Sequence, residues 1–190
     1  MFSYFFPGLL VVLTTVLSVV AQNVSGVVLR GVSHGGQACP QGSTDFTLSV
    51  DKKSITAKYT AFTLSSTNSY FQRKNCQINL DIAYPAGLQY AVSDTTFSDS
   101  VNFEKGASAQ HRILYYFSGS SDQTSLQHSY NGPLHGELSN TEVSATGDQI
   151  WSPCGGSLPL NINNAVVLRG SGPGKIDVRS VSSGLVWRTC

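Results

Sequence analysis

The chain has 190 residues, of which 41% are hydrophobic and 12% are charged, and its formal net charge at pH 7 is +1. These values exclude a disordered chain, which would combine low hydrophobicity with a high net charge. They also exclude a protein that binds nucleic acid through a basic field. The chain is rich in Ser, Thr, Gly and Val, a composition that favours strands and turns over helices.

The N-terminal segment has the pattern of a secretory signal peptide. Residues 5–20 are almost entirely apolar, and no charged side chain occurs before Arg30. This stretch of about 16 residues is shorter than the ~20 that a membrane-spanning helix needs. The small residue Ala21 follows it, so we predict cleavage there. The sequence therefore predicts a leader over residues 1–21 and a secreted, extracellular chain over residues 22–190 with no membrane span after cleavage.

One possible modification site lies close to the predicted cleavage point. Asn23-Val24-Ser25 is the only N-x-S/T sequon in the chain. A sequon in an exposed segment of a secreted protein accepts an N-linked glycan. We therefore predict a glycoprotein modified at Asn23.

Alternating apolar and polar residues predict strands in the first half of the mature chain. Such runs occur at residues 46–50 and 55–61, and the clearest run covers residues 76–84. A period of two over this length is typical of a half-buried strand. Pro85-Ala86-Gly87 interrupts the pattern, which resumes at Leu88. A strand, a short turn and a second strand predict a hairpin.

The same pattern continues to the C-terminus. Further runs lie at residues 113–117, 126–130, 158–162, 165–168, 176–178 and 185–187, with turn signals rich in Gly, Ser and Pro between them. No segment has a helical period. Eight to ten short, regularly punctuated strands predict an all-β fold, an antiparallel two-sheet sandwich. No Pro/Ser linker divides the chain, so we assign residues 22–190 to one domain. We expect this domain to be a monomer.

The four cysteines agree with an oxidising compartment. They are Cys39, Cys76, Cys154 and Cys190, and three pairings are possible. The sequential separations are both about 37 residues, which favours Cys39–Cys76 and Cys154–Cys190. Loop arithmetic does not forbid the crossed pairings. A zinc site usually has closely spaced ligand pairs, and the chain has no C-x-x-C.

The sequence around the cysteines is similar to that of a known family. The matching blocks are GGQACPQGS at 35–43, RKNCQINL at 73–80, YPAG at 84–87, YYFSG at 115–119, WSPCG at 151–155, LNIN at 160–163 and WRTC at 187–190. Together they resemble the secreted fungal and bacterial family known as domain of unknown function 4360. The resemblance implies a small secreted protein with four cysteines and points to a fungal origin. The family carries no established activity, so no catalytic residue follows from it.

One short motif has the form of a serine-hydrolase nucleophile elbow. Gly31, Ser33 and Gly35 match G-x-S-x-G, but the elbow requires a strand before the serine and a helix after it. Here a Gly-rich segment leads to Cys39 instead. We interpret residues 31–35 as a flexible N-terminal loop.

The histidines and acids show no spacing that identifies a catalytic or metal site. His34, His111, His128 and His135 form no H-x-H or H-x-x-x-H pair, so we predict no metal and no cofactor. His111 and His128 are expected on strands in polar or hydrogen-bonded positions. Any two of the eleven Asp and Glu residues could face each other as glycosidase carboxylates. The sequence leaves a glycosidase open as an alternative. Our prediction is that the protein is not an enzyme and has no catalytic residue.

Tyrosines supply candidate sugar contacts. Tyr115 and Tyr116 are adjacent on a predicted strand, so their side chains point to opposite faces of the sheet. One of them is expected outside the core, where Tyr84 or Tyr130 could join it in an aromatic surface. Amphipathic rings suit both cores and binding surfaces.

These features support three hypotheses about function. The leading one is a non-enzymatic extracellular protein that binds a cell-wall polysaccharide or a host-surface component. The second is a secreted effector or toxin that acts on another organism. The third is a polysaccharide hydrolase with spatially assembled carboxylates.

Overall fold

The computed structural model describes residues 24–68, 70–156 and 158–190. The predicted leader over residues 1–21 and the sequon residue Asn23 lie outside the described residues. Among the described residues, no helix is long and apolar enough to cross a membrane. The described strands are β1 Val28–Gly35, β2 Thr44–Leu48, β3 Ser54–Tyr59, β4 Thr63–Ser66, β5 Tyr70–Ala83, β6 Leu88–Phe103, β7 Ala107–Phe117, β8 Gln123–Asn131, β9 Leu134–Val143, β10 Leu160–Gly170 and β11 Gly174–Thr189.

The strands form two antiparallel sheets that pack face to face. The five-stranded sheet has the order β1-β5-β10-β7-β8, and the six-stranded sheet has the order β2-β3-β11-β6-β9, with β4 also paired to β11. The last two strands of the chain, β10 and β11, are the central strands of the two sheets. The predicted all-β, two-sheet antiparallel sandwich with two disulfides is confirmed.

Period-two alternation places one apolar row of each strand between the sheets. On β5 the buried residues are Cys76, Ile78, Leu80 and Ile82, and the intervening residues face solvent. The opposing sheet contributes large side chains such as Phe97 on β6. The core is closed by further buried residues, among them Tyr90, Val101, Phe103, Ile113, Tyr115, Phe117, Leu160, Val166, Leu168, Ile176 and Val178.

The predicted hairpin around residues 85–87 is wrong. β5 belongs to the five-stranded sheet and β6 to the six-stranded sheet, so Pro85-Ala86-Gly87 crosses from one sheet to the other. Alternation identifies a strand but not its partner. Here β5 pairs with β1 and β10, while β6 pairs with β9 and β11.

Residues 31–35 form the end of strand β1. The predicted N-terminal loop at these positions is therefore wrong. β1 pairs antiparallel with β5, and the register shifts between Leu29 and Gly31. Leu29 and Val32 both pack against the core. Because the bulge between them breaks the alternation, the strand has no period-two signal in the sequence. The next described element after Ser33 and β1 is strand β2, not the helix that a nucleophile elbow requires.

The strands are also longer and more numerous than expected. The described part of the chain has eleven, and β6 and β11 have 16 residues each. The run at 165–168 and the part of the run at 158–162 from Leu160 onward belong to the single strand β10, whose apolar pattern Asn163 and Asn164 interrupt. Strand β9 has mostly exposed residues, as expected for an edge strand with a weak hydrophobic pattern.

The structure contains the two sequential disulfides. Cys39–Cys76 ties the segment before β2 to the middle of β5, and Cys154–Cys190 ties the segment before β10 to the chain end. Gly36 lets the segment before Cys39 pass close to strand β5, because a Cβ there would lie 2.3 Å from the backbone oxygen of Asn75. Its φ of 139° is also a conformation that favours glycine.

Candidate functional site

A row of short polar side chains crosses the outer face of the six-stranded sheet. On the six-stranded sheet, hydroxyl residues lie in register across five strands. This row, which we call the hydroxyl face, consists of Thr47, Thr56, Ser182, Thr96 and Thr141. Neighbouring hydroxyls bond to one another, as between Thr96 and Thr141 at 2.8 Å. Such short side chains form a shallow surface.

The outer face of the five-stranded sheet carries longer, planar side chains. We call it the amide face and define it by outward-facing residues of β5, β10 and β7. Its members are Arg73, Gln77, Asn79, Gln110, Arg112, Leu114, Tyr116, Asn161, Asn163, Ala165 and Val167.

Backbone register sets the order of these side chains across the sheet. Asn161 lies between Asn79 and Tyr116, and Asn163 lies between Gln77 and Leu114. Neighbouring strands are about 4.8 Å apart, so each side chain reaches those on both sides. Amide groups from two strands therefore meet an aromatic hydroxyl from a third.

Hydrogen bonds hold the side chains of the amide face in place. Asn163 donates to Gln77 at 3.0 Å, and Gln77 donates to the Tyr116 hydroxyl at 3.3 Å. Asn79 donates to Asn161 at 3.1 Å, and Asn161 donates to Ser118 at 2.9 Å. These bonds restrict rotamers before any ligand arrives, which lowers the entropy cost of binding.

A groove of about 220 Å³ opens on this face beside the hydrogen-bonded amides. The short side chains of Ala165 and Val167 on the central strand lie between longer ones on β5 and β7, which gives the depression a floor and two walls. Arg73 contributes to the lining on the β5 side, and Gln110 and Arg112 contribute on the β7 side. A neighbouring depression of about 170 Å³ shares Gln110 and Val167 and extends to β8.

The charge of the amide face is positive around the groove. Arg73 and Arg112 are exposed, and neither forms a salt bridge within the described part of the chain. Arg112 donates to Ser125 at 3.2 Å. On the same side of the sheet, the carboxylate of Asp81 is bound by Arg30 at 3.0 Å.

A second polar cluster is buried between the sheets. His111 Nδ1 lies 2.9 Å from Asp99 Oδ2, and His111 Nε2 lies 2.7 Å from Asn164 Oδ1. The Tyr130 hydroxyl donates to Asp99 at 2.7 Å, and Asn164 donates to the Tyr59 hydroxyl at 3.0 Å. Asp99, His111 and Asn164 are fully buried. The cluster joins the two sheets, because Asp99 and Tyr59 belong to the six-stranded sheet and the other members belong to the five-stranded sheet.

Buried tyrosine hydroxyls predict a loss of stability at alkaline pH. Burial raises the pKa of Tyr115 from 10.0 to about 12, although bonds with Ser183 and Thr95 lower it in part. Burial also raises the pKa of Tyr59 and Tyr90. A raised folded-state pKa gives stability that is complete below the unfolded value and is lost as the pH rises through the folded value.

We therefore expect the free energy of unfolding to fall as the pH rises from 10 toward 12. Denaturant unfolding at stepped pH, together with tyrosinate absorbance, measures this directly. Tyrosines that all ionise near pH 10 with the fold intact would contradict the burial argument.

The four histidines lie on four different strands, β1, β7, β8 and β9. His111 and His128 lie on strands and are hydrogen-bonded, as expected, with His128 Nδ1 2.7 Å from Glu142. Among the described residues, one group has three potential ligand atoms close together: His34, Cys39 and Cys76. Both sulfurs of this group are bonded to each other, so neither is a thiolate able to coordinate a metal.

A broad cleft of about 880 Å³ lies between the start of β8 and the segment before β10. Asp122 and Asp148 line it, together with Trp151, whose ring stacks on the guanidinium of Arg188 at 3.6 Å. Both carboxylates are exposed. A glycosidase acid, in contrast, works from an apolar pocket that favours its protonated form.

The tyrosines are only partly where the sequence placed them. Tyr115 is buried and Tyr116 faces outward, so the two lie on opposite faces as predicted. Tyr84 and Tyr130 are buried and do not join Tyr116 in an outer aromatic surface. The sequence alone did not identify the Asn and Gln side chains of the amide face as candidate binding residues. Their only signal in the sequence is that they alternate with core residues, and the sequence does not show which strands are neighbours.

Comparisons with known proteins agree with the secreted class. A protein of Arthroderma benhamiae, described as an uncharacterized secreted protein, is 37% identical over 147 residues, which are 73% of this chain and 58% of that protein. The chain thus spans somewhat more than half the length of this relative. The predicted extracellular location is confirmed by this relationship.

A solved structure gives a match of low similarity. It is that of TmCBM61 in complex with β-1,4-galactotriose, with 9% identity and a TM-score of 0.29, over 85% of this chain and 90% of that one. A likeness at this level is not evidence of a shared ligand.

The family relationship rests on a match over nearly the whole described chain. The model for a domain of unknown function, DUF4360, covers residues 25–190. That range includes both disulfides and every strand of the sandwich. The chain belongs to the DUF4360 family.

Proposed function

We propose that this secreted protein binds extracellular polysaccharide without catalysis and that the amide face is its binding surface. One observation carries the proposal: side chains from three adjacent strands are linked by hydrogen bonds beside an open groove. Binding surfaces held in this way lose little conformational entropy when a ligand arrives.

The chemistry of the amide face suits sugars. Amide groups offer both donors and acceptors, and a tyrosine hydroxyl does the same, so they complement the hydroxyls of a sugar ring. Leu114, Ala165 and Val167 supply apolar surface in the same groove. From β5 to β8 the two depressions cross three strand spacings, or about 14 Å. An extended chain fits such a surface better than a compact small molecule does.

The proposal is tested by retention on insoluble polysaccharides. We expect the wild-type protein to be retained on at least one of chitin, β-1,3-glucan, galactan and pectin. Tyr116→Ala removes the hydroxyl that Gln77 contacts. We expect this variant to bind the polysaccharide about tenfold more weakly than the wild type, because it loses one hydrogen bond and the packing of the ring.

The matched control is Thr96→Ala on the hydroxyl face, which also removes one hydrogen-bonded hydroxyl. This variant should bind like the wild type. Equal losses in both variants, or no retention of the wild type on any polymer, would contradict the proposal. In the second case, damage to another organism by the pure protein would support the effector hypothesis instead.

The hydrolase alternative has its own test. Asp122→Asn and Asp148→Asn alter the two carboxylates of the broad cleft. We expect no release of reducing sugar from any bound polymer by the wild type. Turnover that either substitution abolishes would assign catalysis to that cleft.

A further inference from the structure

We infer that the amide face selects polysaccharides that carry negative charge, and that Arg73 and Arg112 bind the negatively charged groups. This inference rests on the proposed function and adds to it the class of ligand.

The two guanidinium groups belong to opposite walls of one groove. Arg73 is on β5 opposite Val167, and Arg112 is on β7 opposite Ala165. β5 and β7 flank the central strand β10, so the two backbones are about 10 Å apart. Both arginines line the 220 Å³ groove whose floor is Ala165 and Val167. A chain lying in the groove would pass between them.

The partners of the other arginines set these two apart. Arg30 binds Asp81 at 3.0 Å, and Arg179 lies 3.7 Å from Glu137. Arg169 and Arg188 stack on aromatic rings, Phe71 and Trp151 respectively.

Arg73 and Arg112 have neither an acidic nor an aromatic partner within the described residues. They are also the two arginines that line this groove. Two guanidinium groups without a counterion in one groove form a local positive site on a chain whose net charge is only +1.

The chemistry of the guanidinium group identifies the ligand class. Its planar set of donors binds carboxylates and phosphates through two parallel hydrogen bonds. Gln110 and Asn163 lie in the same groove and offer amide groups to the neighbouring hydroxyls. The expected ligand is therefore a polysaccharide with carboxylate or phosphate substituents, and uronate polymers are the simplest example.

The experiment compares polymers that differ only in charge. Calorimetry is carried out with polygalacturonate, with its methyl-esterified form, and with a phosphorylated mannan beside its dephosphorylated form. We expect a charged polymer to bind about tenfold more tightly than its neutral counterpart, because charge-assisted hydrogen bonds are stronger than neutral ones. Raising the salt concentration should reduce this preference through screening. The polymer pair that shows the preference identifies carboxylate or phosphate as the group recognised.

The variant is Arg73→Gln combined with Arg112→Gln, and the matched control is Arg179→Gln on the opposite sheet. We expect the double variant to bind charged and neutral polymers within about twofold of each other, because the charge-assisted bonds are gone. The control should keep the wild-type preference. All three proteins should unfold at nearly the same temperature, because the substitutions are on the surface.

Two results would overturn the inference, and they are distinguishable. Equal binding of charged and neutral polymers by the wild type, with Tyr116→Ala weakening both, would refute charge selection and leave the proposed function intact. Absence of binding to every polymer would refute the proposed function as well. A charge preference that survives in the double variant would assign it to residues other than Arg73 and Arg112.

Discussion

Asp99→Ala is expected to lower the free energy of unfolding by about 2–4 kcal/mol, because each buried polar group that loses its hydrogen-bond partner costs about 1–3 kcal/mol. Asp99 accepts bonds from the Tyr130 hydroxyl at 2.7 Å and faces His111 Nδ1 at 2.9 Å. Asp99 and His111 have no solvent exposure. The substitution would remove the acceptor of the Tyr130 hydroxyl and the partner of His111 Nδ1, while Asn140 still contacts Tyr130 and Asn164 still contacts His111 Nε2. Buried polar groups that lose a partner cost stability.

Chemical denaturation of matched variants measures this effect. Asp81→Ala is the control, because Asp81 pairs with Arg30 on β1 but is partly exposed, and exposed pairs contribute about 0–1 kcal/mol. We expect a clear loss of stability for Asp99→Ala and little change for Asp81→Ala. Similar small effects in both variants would show that the buried network does not join the sheets as described.

Removal of the Cys39–Cys76 disulfide is expected to lower stability more than removal of Cys154–Cys190. The two bonds close loops of nearly equal length, with sequence separations of 37 and 36 residues. Chain entropy therefore assigns both the same contribution, about 4 kcal/mol. The difference comes from burial: Cys39 and Cys76 have no solvent exposure, whereas Cys154 and Cys190 are exposed.

The measurement is thermal and denaturant unfolding of two double variants, Cys39→Ala with Cys76→Ala and Cys154→Ala with Cys190→Ala. Each loses the loop constraint, and the first also loses buried contacts of the kind that cost about 1 kcal/mol or more. Hydrogen exchange in the second variant should increase first at the end of β11, because Cys190 holds that strand end. An equal loss in both variants would mean that loop closure alone explains the stabilisation.

Local patterns in the sequence were sufficient for the fold class. Alternation over residues 76–84 predicts a strand with one buried face, and this is what β5 shows. The similar separations of the sequential cysteine pairs favour the pairing that the structure contains. These features depend on neighbours along the chain, so a single sequence contains them.

Features that depend on distant neighbours were beyond the sequence. Residues 85–87 have the composition of a hairpin turn. However, the preceding strand β5 pairs with β10 and the following strand β6 pairs with β11, and these two partners come last in the chain. Asn164 interrupts the apolar pattern of β10, and it is tolerated in the core because His111 and Tyr59 bond to it. Neither partner is near Asn164 in sequence, so the pattern divided one strand into two.

The candidate site was predictable only in part for the same reason. Alternation predicted that Tyr115 and Tyr116 point to opposite faces, because adjacent strand residues do so, and the structure identifies Tyr116 as the outward one. The contact between Gln77 and Tyr116 depends on β10 lying between β5 and β7. A surface built from three strands far apart in sequence becomes recognisable only when the strand order is known.

Mapping the bound polysaccharide by NMR tests the central claim most directly. Amide and side-chain resonances of the isotope-labelled protein are followed while a soluble oligomer of a retained polysaccharide is added. We predict shift changes concentrated at the amide face, above all at Gln77, Asn163 and Tyr116, with the hydroxyl face around Thr96 unaffected. Shift changes centred on the hydroxyl face or on the cleft lined by Trp151, with the amide face unchanged, would contradict the assignment.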